Sequence, residues 1–289
     1  MVLAFAVRVL APNLPPVAGR PDIADVRSGV CAKMERIRLQ NRDGFIMVST
    51  HGKDEIRYEA QVKAFVGDKE RREDAEAYVA SLIKVTEEDD AVTIDTEPGE
   101  RPDFVDLLVF YRVWVPAGTN IEIVSDNGNV LVMRGCGSVE VSGQNADILV
   151  ENPSGNVVVN TVNGRIRLKD ASEGGRLRTV NGSVYAEMNG GFLTAETTNG
   201  VIRARFKQDT VDGCDLTSRN GGITVLLDDG CSARLSARTK RGNVTTDFAV
   251  DTSQGTRGRR HLEGVIGEGR AALTLGTLNG DIAIARSNS

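Results

Sequence analysis

Thr161-Val-Asn-Gly-Arg-Ile-Arg-Leu168, Thr179-Val-Asn-Gly-Ser-Val-Tyr-Ala186 and Thr197-Thr-Asn-Gly-Val-Ile-Arg-Ala204 are three copies of one phrase. It returns as Ser218-Arg-Asn-Gly-Gly-Ile223, Thr239-Lys-Arg-Gly-Asn-Val244 and Thr277-Leu-Asn-Gly-Asp-Ile282. Gly164, Gly182 and Gly200 are 18 residues apart, Gly221 and Gly242 follow at intervals of 21, and Gly280 comes after 38. Self-similarity at such a period marks a repeat architecture.

A finer beat of nine runs upstream, where Gly128, Gly137, Ala146, Gly155 and Gly164 each stand two residues before Val130, Val139, Ile148, Val157 and Ile166. The apolar position is echoed two residues later, as in Ile148/Val150, Ile166/Leu168 and Ile282/Ile284. Period two is a strand with one buried face, so each coil uses two strands and two turns. Asn163-Gly164, Asn181-Gly182, Asn199-Gly200, Asn220-Gly221 and Asn279-Gly280 are read as structural turns, with Gly taking positive φ and Asn tolerating the left-handed region. Turns stacked in register make an Asn ladder up a β-solenoid. The rival reading is an antiparallel meander or sandwich, in which Asn-Gly marks hairpin turns.

The other features set bounds. The chain has 289 residues, a net charge of −5, 31 glycines and only 4% aromatic residues. Residues 1–117 hold 16 Lys and Arg against 21 Asp and Glu, leaving 19 of each sign for residues 118–289. These totals imply no basic face, so nucleic acid is not an expected partner. Cys31, Cys136, Cys214 and Cys231 form no C-x-x-C pair, and His51 and His261 are the only histidines, so neither a metal nor a cofactor is expected. Cys214 and Cys231 share an Asp-Gly-Cys context and are candidates to meet on neighbouring rungs. No segment is apolar for long enough to be a transmembrane helix, and Met1–Val7 lacks the pattern of a signal peptide. The sequence therefore leaves localisation open between the envelope and the cytoplasm.

Three regions are expected: an irregular N-terminal arm over 1–30, an α+β cap over 31–117, and the solenoid over 118–289 with an insertion at 251–263. In the cap, Asp68–Lys84 places acids first and Ala75, Tyr78, Val79, Leu82 and Ile83 on one stripe, which predicts a helix. The cap would cover one end of the solenoid. The other end is expected to be an open C-terminal rung at Ile282–Ser289, through which a homo-oligomer could form.

Val113-Trp-Val-Pro-Ala-Gly-Thr119, the Asn-Gly rungs, and the closing stretch from Gly264 to Ile282 together resemble the bacterial "putative adhesin" family of β-strand repeats. That family is in turn similar to the toastrack modules of envelope-stress proteins. The resemblance spans roughly residues 35–286. It implies a right-handed, mostly β repeat, an envelope association, and a binding or scaffolding role without enzymatic activity. No catalytic residues come with it.

Two candidate sites follow from the residues. Arg257, Arg259, Arg260 and His261 form a basic loop suited to an anionic lipid head group or an acidic envelope partner. Asp212, Asp215, Asp228 and Asp229 could gather around Arg219, as a polysaccharide-processing β-helix enzyme would require. A self-assembling structural solenoid is the third reading. The Thr and Asn columns are read as structural, since stacked side chains satisfy one another.

Overall fold

The computed structural model describes residues 20–96, 99–207 and 211–287, among which the chain forms 24 strands and one α-helix. The repeat is clearest in the middle. β9 (Val139–Asn145) lies in one sheet, the chain turns at Ala146-Asp147, and β10 (Ile148–Glu151) runs in the facing sheet. β11 (Val157–Asn163) and β12 (Ile166–Ala171) repeat this one coil later, in parallel, with Val139↔Val157 and Ile148↔Ile166 in register. β13 (Gly174–Asn181) and β14 (Val184–Met188), β15 (Gly191–Asn199) and β16 (Ile202–Phe206), and β17 (Val211–Asn220) and β18 (Ile223–Leu227) continue the stack. Parallel pairing of the repeats rules out the meander and leaves an all-β solenoid.

Alternation explains the core. Val139, Val141, Ile148, Val150, Ile166, Leu168, Ile202, Ile223 and Ile284 point between the sheets and are all at most 1% exposed. The residues between them face outward. A second, smaller cluster of Met47, Leu131 and Leu149, with Phe45 and Met133 packed on it, lies on the opposite face of its sheet from the main core.

Rung order in space differs from chain order at both ends. β7 (Asn120–Asn127) and β8 (Val130–Val132) stack under β9 and β10. Beneath them runs β2 (Arg36–His51), one strand that passes through both sheets, with Ile37↔Ile121 and Val48↔Val132. Outside β2 lie the later strands β5 (Ala91–Thr96) and β6 (Val105–Pro116), through Ile37↔Val92 and Val48↔Val113. The far end mirrors this. β23 (Ala271–Asn279) and β24 (Ile282–Arg286) sit between β17–β18 and the earlier pair β19 (Ala233–Arg241) and β20 (Val244–Thr246).

This corrects the expectation of an open C-terminal rung. Ile284 pairs with Val225 on one side and Thr246 on the other, so Ile282–Arg286 offers no free edge for a homo-oligomer. The step from Gly221 to Gly242 carries the chain to the outermost rung, and the 38-residue gap before Gly280 is the return to the rung inside it.

Both ends carry antiparallel additions. β3 (Glu55–Val66) pairs with β6, β1 (Ile23–Ala32) pairs with β3, and β4 (Ile83–Glu88) pairs with β5. Thus the described part of the expected irregular arm holds a strand, while residues 1–19 lie outside the described residues. The helix, α1, is shorter than expected at Arg72–Ser81, after a 3₁₀ turn over Lys69–Arg71. Asp68 caps that turn by accepting the Glu70 N–H at 3.0 Å. Arg27 of β1 donates to the carbonyls of Val79 and Ala80, a favourable place for a cation at a helix C-terminus. Ala75, Val79 and Leu82 join the main core. At the C-terminal end, β22 (His261–Ile266) pairs antiparallel with β19, and β21 (Asp251–Arg257) pairs with β22.

Candidate functional site

The repeated phrase builds one corner of every coil. Asn145, Asn163, Asn181, Asn199, Asn220 and Asn279 each donate a side-chain amide to the Asn of the rung below, beginning with Asn145 to Asn127 at 2.6 Å and the rest at 2.7–2.8 Å. None of these asparagines has positive φ. Their identity is set by the ladder, and the left-handed argument for Asn falls away. Behind them Thr161, Thr179, Thr197, Ser218, Thr239 and Thr277 are buried, and each donates its hydroxyl to a corner carbonyl of the neighbouring rung.

The glycines are required by close approach. A Cβ on Gly182 would lie 1.9 Å from the Gly164 carbonyl oxygen, and one on Gly200 equally close to that of Gly182. The columns of Asn, Gly and Thr are therefore occupied in holding rungs together.

Distinctive surface chemistry gathers where the stack ends. Arg257, Arg259, Arg260 and His261 sit at the tip of the β21–β22 hairpin, which covers the outer edge of β19. The hairpin's backbone is tied down: the Arg260 carbonyl accepts the Thr239 N–H and the Arg259 carbonyl accepts the Val244 N–H, both at 2.9 Å. Arg259 Nε also donates to Asn243 Oδ1 at 2.5 Å. The three arginines themselves are exposed.

His261 Nε2 lies 3.1 Å from Arg238 Nε, and both approach Glu263, at 3.3 and 3.5 Å. That contact joins the hairpin to the outer face of the sheet, where Arg219, Leu278 and Lys240 line adjacent rungs. Gly276 leaves a notch between Thr217 and Arg238, so an open groove of about 680 Å3 runs beside Arg219, Arg238 and Lys240. Arg241 stands in the Asn column of the outermost rung. Seven cations from three elements thus share one corner of a chain whose net charge is −5. Arg219, Arg238, Lys240 and Arg241 were missing from the sequence-based site because the rung order that unites them was hidden. The one signal was Arg241, which replaces Asn in an otherwise regular phrase.

The acidic candidates do not converge. Asp212 and Asp215 are exposed on β17, whereas Asp228 and Asp229 follow β18 at the opposite corner from Arg219. Asp229 pairs instead with Arg286. His51 Nε2 is 2.7 Å from the Glu55 carbonyl at the other end of the molecule from His261. Among the described residues no group of three or more His, Cys, Asp or Glu is placed to hold a metal ion, and no helix is long and apolar enough to cross a membrane. None of the four cysteines is in a disulfide, Cys214 and Cys231 included. Burial pushes the Cys136 thiol up to about 12 and that of Cys214 well above its ordinary value. At Cys31 burial is again the main cause, helped by Glu87, and the value reaches about 11.

A toastrack solenoid is the class these features define. The chain belongs to the toastrack family DUF4097, whose model matches residues 111–285. Among solved structures it is similar to a Bacteroides fragilis protein described as a "putative adhesin", with 11% identity, a TM-score of 0.45, and coverage of 93% of this chain and all of that one. A Parabacteroides distasonis protein described as a "putative adhesin" gives 9% identity, a TM-score of 0.40, and coverage of 93% and 99%. Another from the same organism, described as a "putative lipid binding protein", gives 9%, 0.37, 92% and 98%. No curated protein matches the chain.

Proposed function

We propose that this protein is a binding module of the bacterial cell envelope whose cationic C-terminal corner engages an anionic phospholipid surface. The observation that carries this reading is the Arg238–His261 contact, which makes the hairpin arginines continuous with Arg219 and Lys240. Each cation held near an anionic membrane contributes about 1 kcal/mol, and the attraction fades over a Debye length of about 8–10 Å. Because the hairpin backbone is fixed to the last rung, little ordering is needed on docking. The solenoid serves as a rigid scaffold, and a role in envelope-stress signalling would follow from what else it holds.

Co-sedimentation with phosphatidylglycerol vesicles, against phosphatidylcholine vesicles, tests the reading. Wild type should pellet with the anionic vesicles only and release as salt rises. R257S/R259S/R260S and, separately, R219S/K240S should lose most of that binding with unchanged circular dichroism. The second variant leaves the Arg259–Asn243 contact intact, so it separates charge from hairpin integrity. Equal pelleting of all three proteins overturns the proposal.

A further inference from the structure

Each of the two sheets ends in two edge strands, and three of those four edges carry recognisable protection against pairing with another chain. β20 is only three residues long. The pairing of β21 with β22 shifts register between Asp251 and Thr256. β4 carries Lys84, Glu87 and Glu88 within six residues. Short length, irregularity and charge are the usual devices for blocking edge-to-edge association.

β1 is neither short nor irregular, and its two charges, Asp25 and Arg27, lie on one face of the strand. It is ten residues long, pairs without a register shift from Ile23 to Ala32, and contains no proline. Among the described residues it is paired on one side only, with β3. Its outward face reads Ala24, Val26, Ser28, Val30, Ala32, with no charge, and Val26 and Val30 are 64% and 60% exposed. Its charged residues point the other way and are occupied, Arg27 with Asp25 at 2.9 Å and with the end of α1. Glu87 accepts the Ala32 N–H at 3.3 Å and fixes the C-terminal end of the strand. Gly29 leaves room for the Tyr58 ring, which a Cβ would strike at 2.4 Å.

We infer that β1 is a homodimerisation edge, pairing antiparallel with β1 of a second copy about Ser28. The sequence is self-complementary in that register. Val26 would face Val30 of the other copy, Ala24 would face Ala32, and Ser28 would face Ser28. All outward cross-strand pairs are then matched in size and uncharged, and a two-fold axis closes the assembly at two molecules. The occupant is a second copy because no other partner is needed to explain this symmetry of residues.

Sedimentation equilibrium of the full chain should show a monomer–dimer equilibrium. V26K/V30K places Lys against Lys at both symmetric pairs and should weaken the dimer about tenfold or more, with a melting temperature equal to wild type at dilutions where both are monomeric, since both positions are exposed in the single chain. V26K/V30E places each Lys against a Glu and should restore association, in a salt-sensitive form. A wild type that stays monomeric at high concentration overturns the inference, as does V26K/V30K behaving like wild type. Failure of V26K/V30E to recover association, when V26K/V30K has lost it, overturns the register.

Discussion

Asp43 and Arg241 close the two ends of one row of amides. Asp43 Oδ1 accepts from Asn127 at 2.9 Å, six further amides follow in the same direction, and Arg241 Nη1 donates to the last of them, Asn279, at 3.5 Å. An amide ladder is directional, since each Asn both gives and receives, so its ends need an acceptor at one side and a donor at the other. A carboxylate, which only accepts, and a guanidinium, which only donates, meet those needs. Arg101 anchors Asp43 at 2.6 Å, while Arg241 is exposed. Asp43→Ala should therefore cost about 1.5–3 kcal/mol, as for a charge-assisted bond, and Arg241→Ala under about 1. Comparable losses in denaturant midpoints would contradict the asymmetry.

Gly182→Ala tests close approach directly. The added methyl meets the Gly164 carbonyl, and the rungs must part, at a cost of at least about 1–3 kcal/mol. Ile202→Asp buries a charge between the sheets and should cost more. Arg203→Ser, one residue on and outward, should leave the melting temperature within error of wild type.

A proline at Thr274 reports rung order. β23 is paired on both sides, so Thr274→Pro breaks a ladder in the stack's interior. Hydrogen exchange should then rise in residues 233–246 and 261–266, which depend on β23, while residues 120–206 stay protected. Loss confined to residues 271–286 would mean the stack follows chain order.

Thiol labelling separates the cysteines by environment. Cys136 and Cys214 are buried with strongly raised values, so almost none is thiolate at neutral pH, and Cys31 is raised as well. Native protein should show one fast thiol, the half-buried Cys231, and three slow ones. Loss of the fast phase in Cys231→Ser identifies it.

Lys207 bridges Asp170 at 2.7 Å and Glu187 at 3.1 Å, and its hydrogen bond to Asp170 depresses that carboxyl. A depressed folded value means the stabilisation is present at neutral pH and is lost as pH falls from about 4 through that value. With both groups partly exposed, it is worth about 0.2–1 kcal/mol. The stability difference between wild type and Lys207→Met should shrink over that acidic window, and a constant difference would sink the assignment.

Much of the fold was legible because the repeat is strict where chain order and stacking order agree. From Val139 to Phe206 the apolar pairs recur at 18 residues, with Gly175 the one gap, and the strands stack accordingly. Where the orders diverge, spacing alone misleads. Thr239–Val244 and Thr277–Ile282 both keep the spacing of the phrase, and only Arg241, standing where the other copies have Asn, marks the first of them as the outermost. The role of Gly182 was hidden for a related reason: its constraint is a carbonyl on another coil, invisible to turn chemistry. The cationic corner was half legible, since the hairpin arginines are contiguous in sequence and their neighbours on β17 and β19 are not.

The exchanged order at the two ends has a consequence for how such molecules lengthen. Duplicating one 18-residue unit between Val139 and Phe206 would add a coil whose Asn continues the ladder and whose ends remain intact. The same duplication beside β2 or β24 would separate a strand from the two rungs that enclose it. Relatives of different length should therefore differ by whole coils inserted in the interior, with both closures inherited as fixed fittings.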